Sequence, residues 1–435
     1  MSIESYFPPN PNLAVDPTST FNLGEELDRV MGHMKRKAPR HFRELREAHD
    51  RLQPPLSDAE QLECSGWGIV DATGEQETIY HTLQQFATQN LTPERYELHL
   101  LVNTDKQRLR EGRGTQRLEQ TVDAIKQFQN DHPTCPVRYT TQIYEWPQSI
   151  AAIRADLSEV SGYDLWMRGR ETSLPALFVD ADATHMGEGF LASTIATHRQ
   201  PRPGQTTRPA DVMIGKLVYD QVAELPRASA VNQLLGAVTL TLEALRDFNP
   251  LYAASGPETA VDMVTYFASG GLQRTYTIGE IKTLVMAIAD ARMLKTDHGN
   301  VAKVLAVENS GALLKTSPRR LVAAMARNVT PMKAWFGEGE DDGSGACATM
   351  NFSQDHELRF NLPDITQAEQ NAQEYFFKWT EDIMQMLARP LLPPNRYDKL
   401  QQTIYDNMRG NLSAVNVMRH AASSFRALAN KRTHM

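Results

Sequence analysis

Short apolar runs and helical stripes take turns along the middle of the chain, from Gly66 to about Asn328. Residues 67–70 (WGIV) predict a strand, and Ile79, Leu83 and Phe86 fall on one face of a helix. Residues 98–102 predict a second strand, and Leu118, Val122, Ile125 and Phe128 a second helix. Residues 137–139 follow as a strand, Ile150, Ile153, Leu157 and Val160 as a helix, and residues 176–179 as a strand. Strands and helices in alternation imply a mostly parallel sheet covered by helices. In such sheets ligands bind beyond the carboxyl ends of the strands, so functional residues are expected just after the apolar runs.

A second block begins with a predicted strand at residues 212–218 and a long stripe of Val231, Leu234, Leu235, Val238, Leu242 and Leu245. Val261, Val264 and Phe267 predict a short helix that stops at Gly270-Gly271, a good C-terminal cap. Ile281, Leu284, Val285 and Ile288 predict another helix, residues 301–307 a strand, and Ser317-Pro318 the start of a further helix. At the N-terminus, residues 1–20 are rich in Pro and Asn and read as poorly ordered; Leu23, Leu27, Val30, Met31 and Met34 then make a helical stripe. Residues 337–345 (GEGEDDGSG) read as a linker, and the remainder is mostly helical. The expected division is therefore 1–60, a disordered segment and helical extension; 61–330, an α/β domain; and 331–435, an acidic linker with a C-terminal helical region.

The 435 residues include 45 Lys and Arg against 53 Asp and Glu, a net charge of −8, which argues against general nucleic-acid binding. With 41% apolar residues the chain can build a sizeable core, yet no stretch reaches the ~20 apolar residues of a membrane span. Residues 1–17 lack a basic segment followed by an apolar one, so no signal peptide is expected. Three cysteines, Cys64, Cys135 and Cys347, make neither a disulfide framework nor a zinc ribbon. The chain reads as cytoplasmic and globular, or as a soluble protein that visits a membrane surface. A basic stretch, Lys35, Arg36, Lys37, Arg40, Arg43 and Arg46, is the part suited to anionic lipid. Interleaved Glu44, Glu47 and Asp50 make a solvated helix face the simpler reading.

The run most suggestive of chemistry is Asp180-Ala181-Asp182, where an apolar strand ends. In extended backbone positions i and i+2 face one side, so both carboxylates can address one site. Paired carboxylates suit Mg²⁺ or Mn²⁺, with waters and substrate phosphates completing the shell, and His185 is near enough in sequence to be a further ligand. An acidic turn after a strand, with Asp182 capping the next helix, is the alternative. The run 187–192 (GEGFLA) matches a dinucleotide-binding Gly-rich pattern, with Asp211 about 20 residues on. Its strand-to-helix turn is too long for that fingerprint, which needs a tight one.

Taken in order, these motifs resemble those of the GT-A glycosyltransferases, family 2 in particular. Residues 70–75 (VDATGE) followed by 79–83 (IYHTL) resemble the family's first strand and helix; Ala151-Ala152-Ile153-Arg154 its Ala-Arg-Asn helix; and Asp180-Ala181-Asp182 its DxD motif. Gly270-Gly271-Leu272, then Gly279-Glu280-Ile281, resemble its later Gly-Gly-Phe and Gly-Glu-Asp segments, and residues 316–320 (TSPRR) its late Arg-Arg element. The implied fold is a GT-A, Rossmann-like, mostly parallel sheet with flanking helices plus N- and C-terminal helical additions.

The resemblance implies transfer of a sugar from a nucleotide-diphosphate donor to an acceptor hydroxyl, inverting and metal-dependent, with Mn²⁺ or Mg²⁺. Thr73, Glu75 and Asn103 would line the nucleotide pocket, Arg154 reach the base or diphosphate, Asp180 lie near the ribose, and Asp182 with His185 hold the metal. The acceptor would be a carbohydrate, a lipid-linked glycan, a small molecule or a protein. The family's usual catalytic Asp is replaced by Ile281, leaving Glu280 as the candidate base. That departure keeps a second reading open, a non-catalytic protein that binds a nucleotide sugar or a partner. A sugar nucleotidyltransferase is disfavoured because residues 71–77 are acidic rather than basic and Gly-rich. Read without the family, Thr73 is a helix cap, Glu75 a favourable charge near a helix start, Asn103 a turn residue, Arg154 an ion-pair partner, and Glu280 a first-turn acid.

Overall fold

A computed structural model describes residues 7, 9–10, 22–52, 61–72, 75–76, 78–110, 112, 115–145, 150–200, 209–219, 227, 259–272, 274, 281, 284, 288, 306–316, 325–326, 328, 349–352, 358–361, 365–383, 394–395, 398–399 and 402. Two compact units divide the chain: residues 1–217 with 254–314, and residues 218–253 with 315–435.

The first unit opens with helices α1 (Leu23–Lys37) and α2 (Pro39–Asp50). Strand β1 (Cys64–Asp71), helix α3 (Ile79–Ala87) and strand β2 (Tyr96–Asp105) follow. Then come α4 (Lys106–Arg110), α5 (Thr115–Asp131), β3 (Val137–Tyr144), α6 (Ile150–Met167) and β4 (Pro175–Asp180). After these are β5 (Ala183–Met186), α7 (Phe190–Arg199), β6 (Val212–Tyr219), β7 (Thr259–Asp262), α8 (Met263–Ala268) and β8 (Ala306–Thr316). One sheet joins the strands in the order β3-β2-β1-β4-β7-β6-β8-β5. β3, β2, β1 and β4 run parallel to one another, and β7 pairs antiparallel with both β4 and β6. The expected α/β class, with a parallel half flanked by helices, is the one observed.

Strand alternation sorts the two faces of the sheet. Val70, Leu98, Leu100, Val102, Leu177 and Val179 face one core with Ile79, Leu83 and Phe86 of α3 and Ile125 and Phe128 of α5. Trp67, His99 and Phe178 face the other, where Trp67 meets Phe178 and Tyr266 edge to face and His99 bonds Ser161 of α6 at 2.7 Å. On that second side α6 packs on β1 and β2 and is itself covered by α1 and α2. Phe7 adds to this layer, buried against Phe267.

Two boundaries differ from the sequence expectation: the strand expected at residues 301–307 is β8, Ala306–Thr316, and the helix expected from Val261 starts later. Val261 lies in β7 rather than in the following helix, which begins at Met263 behind an Asp262 cap whose carboxylate accepts from the Thr265 N–H at 2.9 Å. A four-residue strand of TAVD has too little alternation to separate from a helix stripe. β5 is not anticipated by the sequence pattern: residues 183–186 read as part of a long turn, with His185 a candidate ligand. Cys64 and Cys135 are buried free thiols. The stripe at 231–245, the linker at 337–345 and most of the C-terminal stripe lie outside the described residues.

The second unit contains an antiparallel pair, β9 (Thr349–Phe352) with β10 (Leu358–Asn361), and helix α9 (Ile365–Ile383). Ala368, Ala372 and Tyr375 of α9 are buried, and Asn371 donates to the carbonyls of Met325 and Ala326.

Because α6 is covered on both sides, its polar residues are buried too. Arg154, Asp156, Glu159 and Asp164 are each at most 8% exposed. Buried charges need partners. Arg274 and Tyr144 reach Asp156, Arg274 and His41 reach Glu159, and Arg138, Arg168 and His49 reach Asp164. Burial pushes Asp164 up, but the His49 hydrogen bond and the fields of His99, Arg168 and Arg138 outweigh it and hold the carboxyl below its usual range. Burial likewise pushes Glu97 up, but His99 and Arg168 outweigh it and hold the carboxyl below its usual range, while Asp156 stays above its usual range through burial.

Three outcomes follow from this packing. A Cβ added at Gly162 would lie 2.5 Å from the Phe267 ring, so Gly162→Ala is expected to lower the unfolding free energy by about 1–3 kcal/mol, outweighing alanine's helix preference of about 1 kcal/mol. Urea unfolding checks it. Groups such as Asp164 and Glu97, depressed in the fold, stabilise above their unfolded values and lose that contribution as pH falls through their folded values. Melting temperature should therefore drop as pH goes below about 4. Asp164→Asn should cost about 3–5 kcal/mol at neutral pH and flatten that acid slope.

Candidate active site

The parallel strands put their carboxyl ends side by side. Asp71 at the end of β1 pairs in register with Asn103 of β2, and Ile69 with Asp180 at the end of β4. The loop leaving β1 is closed by its own polar groups. The Glu75 carboxylate accepts from the Asp71 N–H at 2.6 Å, and the Glu75 N–H donates to the Asp71 carbonyl at 3.1 Å. Asn103 donates to the Val70 carbonyl at 2.9 Å, while its own carbonyl accepts from Ala72 at 3.0 Å. Glu75 is buried, so its carboxylate braces the loop from inside. Asn103 clasps the ends of β1 and β2 together.

The acidic run sits at the next carboxyl end. β4 ends at Asp180, and Ala181 and Asp182 form the turn into β5. The two-residue alternation that would align both carboxylates therefore stops at the first of them. Asp180 accepts from the Arg154 guanidinium, which α6 presents from below and which lies 5.9 Å from the Phe178 ring centroid. Asp182 is buried in the turn, and His185 is exposed on β5. Arg154 thus stands at the acidic run, with Asp180 as its partner.

One device holds this turn that sequence reasoning missed. Thr78 and Thr82 both donate to the Ala181 carbonyl at 2.8 Å, and Thr82 also meets the Ala183 carbonyl at 3.2 Å. His81 Nε2 donates to Thr184 at 2.9 Å, Gln85 accepts from the Met186 N–H, and Gln89 donates to Gly187 and accepts from Leu191. Thr78 at the N-cap of α3, Thr82 and Gln85 within it and Gln89 just beyond its end are spaced four, three and four apart, so one polar stripe runs along the backbone from the β4–β5 turn to the start of α7. The signal was present as polar residues at helical spacing, interleaved with Ile79, Leu83 and Phe86.

Gly270 and Gly271 have φ of 99° and 66°, the left-handed region, and end α8 by donating to Phe267 and Tyr266. Arg274 is fixed by Asp156 and Glu159 of α6, and Ile281 is buried. Thr73, Glu280 and residues 317–320 lie outside the described residues. The Gly187–Ala192 run follows β5, the last strand in the sheet order, and leads into the first residues of α7. Asp211, its would-be ribose partner, is buried and accepts from Thr265 Oγ1 at 2.8 Å.

Among the described residues, two groups of acids and histidines bring at least three ligand atoms within 4.8 Å: His41, Asp156 and Glu159, and Glu97, His99 and Asp164. Arginine already supplies a cation to each, Arg274 to the first and Arg138 and Arg168 to the second. Asp182 and His185 belong to neither group. No helix among the described residues is long and apolar enough to cross a membrane.

No protein-family model matches the chain, and no curated protein matches it. Its structure is similar to that of S. aureus TarS 1–349, at 12% identity over 84% of this chain and 92% of that one, with a TM-score of 0.37. It is also similar to the mannosyltransferase PcManGT from Pyrobaculum calidifontis in complex with GDP-Man and Mn²⁺, at 13% identity over 94% and 98% of the two chains, TM-score 0.38. A third is glucosyl-3-phosphoglycerate synthase from Mycobacterium tuberculosis in complex with Mn²⁺, UDP and phosphoglyceric acid, at 12% identity over 69% and 86%, TM-score 0.30.

The α3 stripe gives a direct expectation. Thr82→Val removes one of two hydroxyl donors from the buried Ala181 carbonyl and should cost about 1 kcal/mol, and Thr78→Val with Thr82→Val about 2–3 kcal/mol. Denaturant unfolding of the single and double variants measures both.

Proposed function

We propose that this protein is a glycosyltransferase of the GT-A, family 2-like type, acting on a nucleotide-diphosphate sugar. The observation that carries the reading is the acidic turn at the β4 end, Asp180 held by Arg154 and Asp182 two residues on, beside the carboxyl ends of β1 and β2. Ligands of parallel α/β sheets bind at this edge. The chain's motif order supports the same reading.

The residues present suit a divalent cation. Asp182 offers hard carboxylate oxygens, and a small divalent ion needs only one or two protein carboxylates when substrate phosphates and waters fill the rest. Asp182, with His185, would hold Mn²⁺ or Mg²⁺. Such an ion, when bound, offsets the charge that builds on a diphosphate leaving group. Asp180, charge-balanced by Arg154, serves the sugar or ribose hydroxyls, and Asn103 and Glu75 keep the nucleotide-facing loop in shape. In the inverting displacement, an acceptor oxygen bonds to the anomeric carbon as the bond from that carbon to the diphosphate breaks. Glu280 takes the hydroxyl proton in this assignment. Ile281, at the position of the family's usual Asp, is buried and apolar and cannot do so. A non-catalytic nucleotide-sugar binder is the second reading, favoured by that same residue.

A thermal-shift panel of nucleoside diphosphates, with and without Mn²⁺, tests the reading on the whole chain. One nucleotide should stabilise in a metal-dependent way, by about 2.7 kcal/mol at a hundred times its Kd. Asp182→Ala should remove the metal dependence. Absence of any nucleotide shift, or an unaltered response in Asp182→Ala, overturns the proposal. Glu280→Gln should keep nucleotide binding while transfer drops by about 100-fold or more. Wild type and Glu280→Gln equally inert, both still binding nucleotide, selects the non-catalytic reading.

A further inference from the structure

We propose that the elbow between α1 and α2 is a docking surface for an anionic phospholipid bilayer. The inference stands on a different face of the unit from the acidic turn and does not depend on the donor reading. Between residues 33 and 46 the chain has six basic residues, Lys35, Arg36, Lys37, Arg40, Arg43 and Arg46, and one carboxylate, Glu44. All six are exposed, in a chain whose net charge is −8. Glu44 pairs with Arg40; Lys35, Lys37, Arg43 and Arg46 have no salt bridge among the described residues.

The backbone that carries these charges is anchored through both helices. Leu27, Val30, Met31 and Met34 of α1 and Leu45 and Ala48 of α2 are buried. His41 meets Glu159 at 2.6 Å and His49 meets Asp164 at 2.9 Å, fastening α2 to α6 at two points. The local field is positive: burial, then Arg36, Lys37 and Arg29, hold the His33 imidazole below its ordinary value.

An apolar patch adjoins the charges, an independent observation. Phe42, on α2 between Arg40 and Arg43, is partly exposed and packs edge to face on Tyr163 and Trp166 of α6. Trp166 is partly exposed, with its indole N–H on Asp28 at 2.6 Å. The next residue, Met167, is 58% exposed, one of two large apolar side chains exposed among the described residues. Burial pushes the Tyr163 hydroxyl up, with the field of Arg46 acting against it and that of Asp50 adding to it, so basic and aromatic parts share one region. The acids nearby are Asp28, bonded to Trp166, Glu44, paired with Arg40, Asp50, 3.6 Å from His49, and the exposed Glu47.

Trp, Phe and Met beside Lys and Arg is the composition of a bilayer interface: the rings and the thioether enter the headgroup boundary while the cations meet lipid phosphates. Nucleic acid is the poorer fit, because single strands stack on free ring faces and these rings are packed edge to face on one another. The acidic remainder of the chain is repelled by an anionic bilayer, so approach through this face fixes the orientation.

Co-sedimentation of the full chain with vesicles tests it. At low salt the protein should pellet with vesicles of phosphatidylcholine and phosphatidylglycerol in equal parts, remain in solution with phosphatidylcholine alone, and be released by salt. Lys35→Glu with Lys37→Glu and Arg43→Glu should lower partition by about 100-fold or more. The milder Lys35→Gln, Lys37→Gln and Arg43→Gln variant should lower it as well, with an unchanged melting temperature. Met167→Gln should weaken binding severalfold. A control with the same charge change elsewhere, Arg110→Glu with Lys126→Glu and Lys378→Glu, should bind as wild type. Equal binding to neutral vesicles, full binding by either triple elbow variant, or equal loss in the control overturns the proposal. Retention on duplex DNA at the same salt, lost in the elbow variants, while vesicles fail to bind, would make the surface a nucleic-acid site instead.

Discussion

A helix covered on both sides has no water for its charged residues, and that constraint organises the first unit. α6 lies between the sheet and the α1–α2 layer, yet it carries Arg154, Asp156, Glu159 and Asp164. Each must find a partner in the protein, and the partners come from different parts of the chain. Arg154 takes Asp180 at the end of β4; Asp156 and Glu159 take Arg274 from the segment after α8; Glu159 and Asp164 take His41 and His49 from α2; Asp164 also takes Arg138 from β3. Breaking any one pair strands a buried charge, so the elements are positioned together.

This ties the acidic turn to its surroundings from two directions. From the α6 side, Arg154 fixes Asp180. From the opposite face, the Thr and Gln stripe of α3 binds the backbone that follows, from Ala181 to Leu191. The turn is thus clamped between a guanidinium on one face of the sheet and a helix on the other. Preorganisation of this kind lets a few carboxylates be placed without a dedicated cage of ligands. The same α6 network anchors α2, whose outward face bears the basic elbow. One buried network therefore supports two surfaces with different chemistry.

Much of the sheet was legible because its strands and helices have different periods. β1, β2, β3, β4 and β6, with α3, α5 and α6 between the first four, fall where apolar runs and 3.6-residue stripes put them. β5 and β7 were less legible: each is four residues long, too short for alternation to register. At the site, Asp180, Asp182 and Arg154 stood out as residue types. Their relation did not, since i and i+2 share a side only while the strand continues, and β4 stops at Asp180. Glu75 and Asn103 were read for a ligand or for local turn roles; both make backbone bonds that hold the loop after β1.

The amino-acid sequence by itself determined which segments are strands and which are helices, where the carboxyl ends of the parallel strands fall, and that carboxylates gather at one of them. These are local properties, set by side-chain spacing and backbone preference within a few residues. Tertiary structure alone decided which charges are buried and with whom they pair. Spacing marks Ile150, Ile153, Leu157 and Val160 as the apolar side of α6, and its other side becomes interior only because α1 and α2, about a hundred residues earlier, lie over it. Burial of a charge depends on what covers it, and the covering comes from distant parts of the chain.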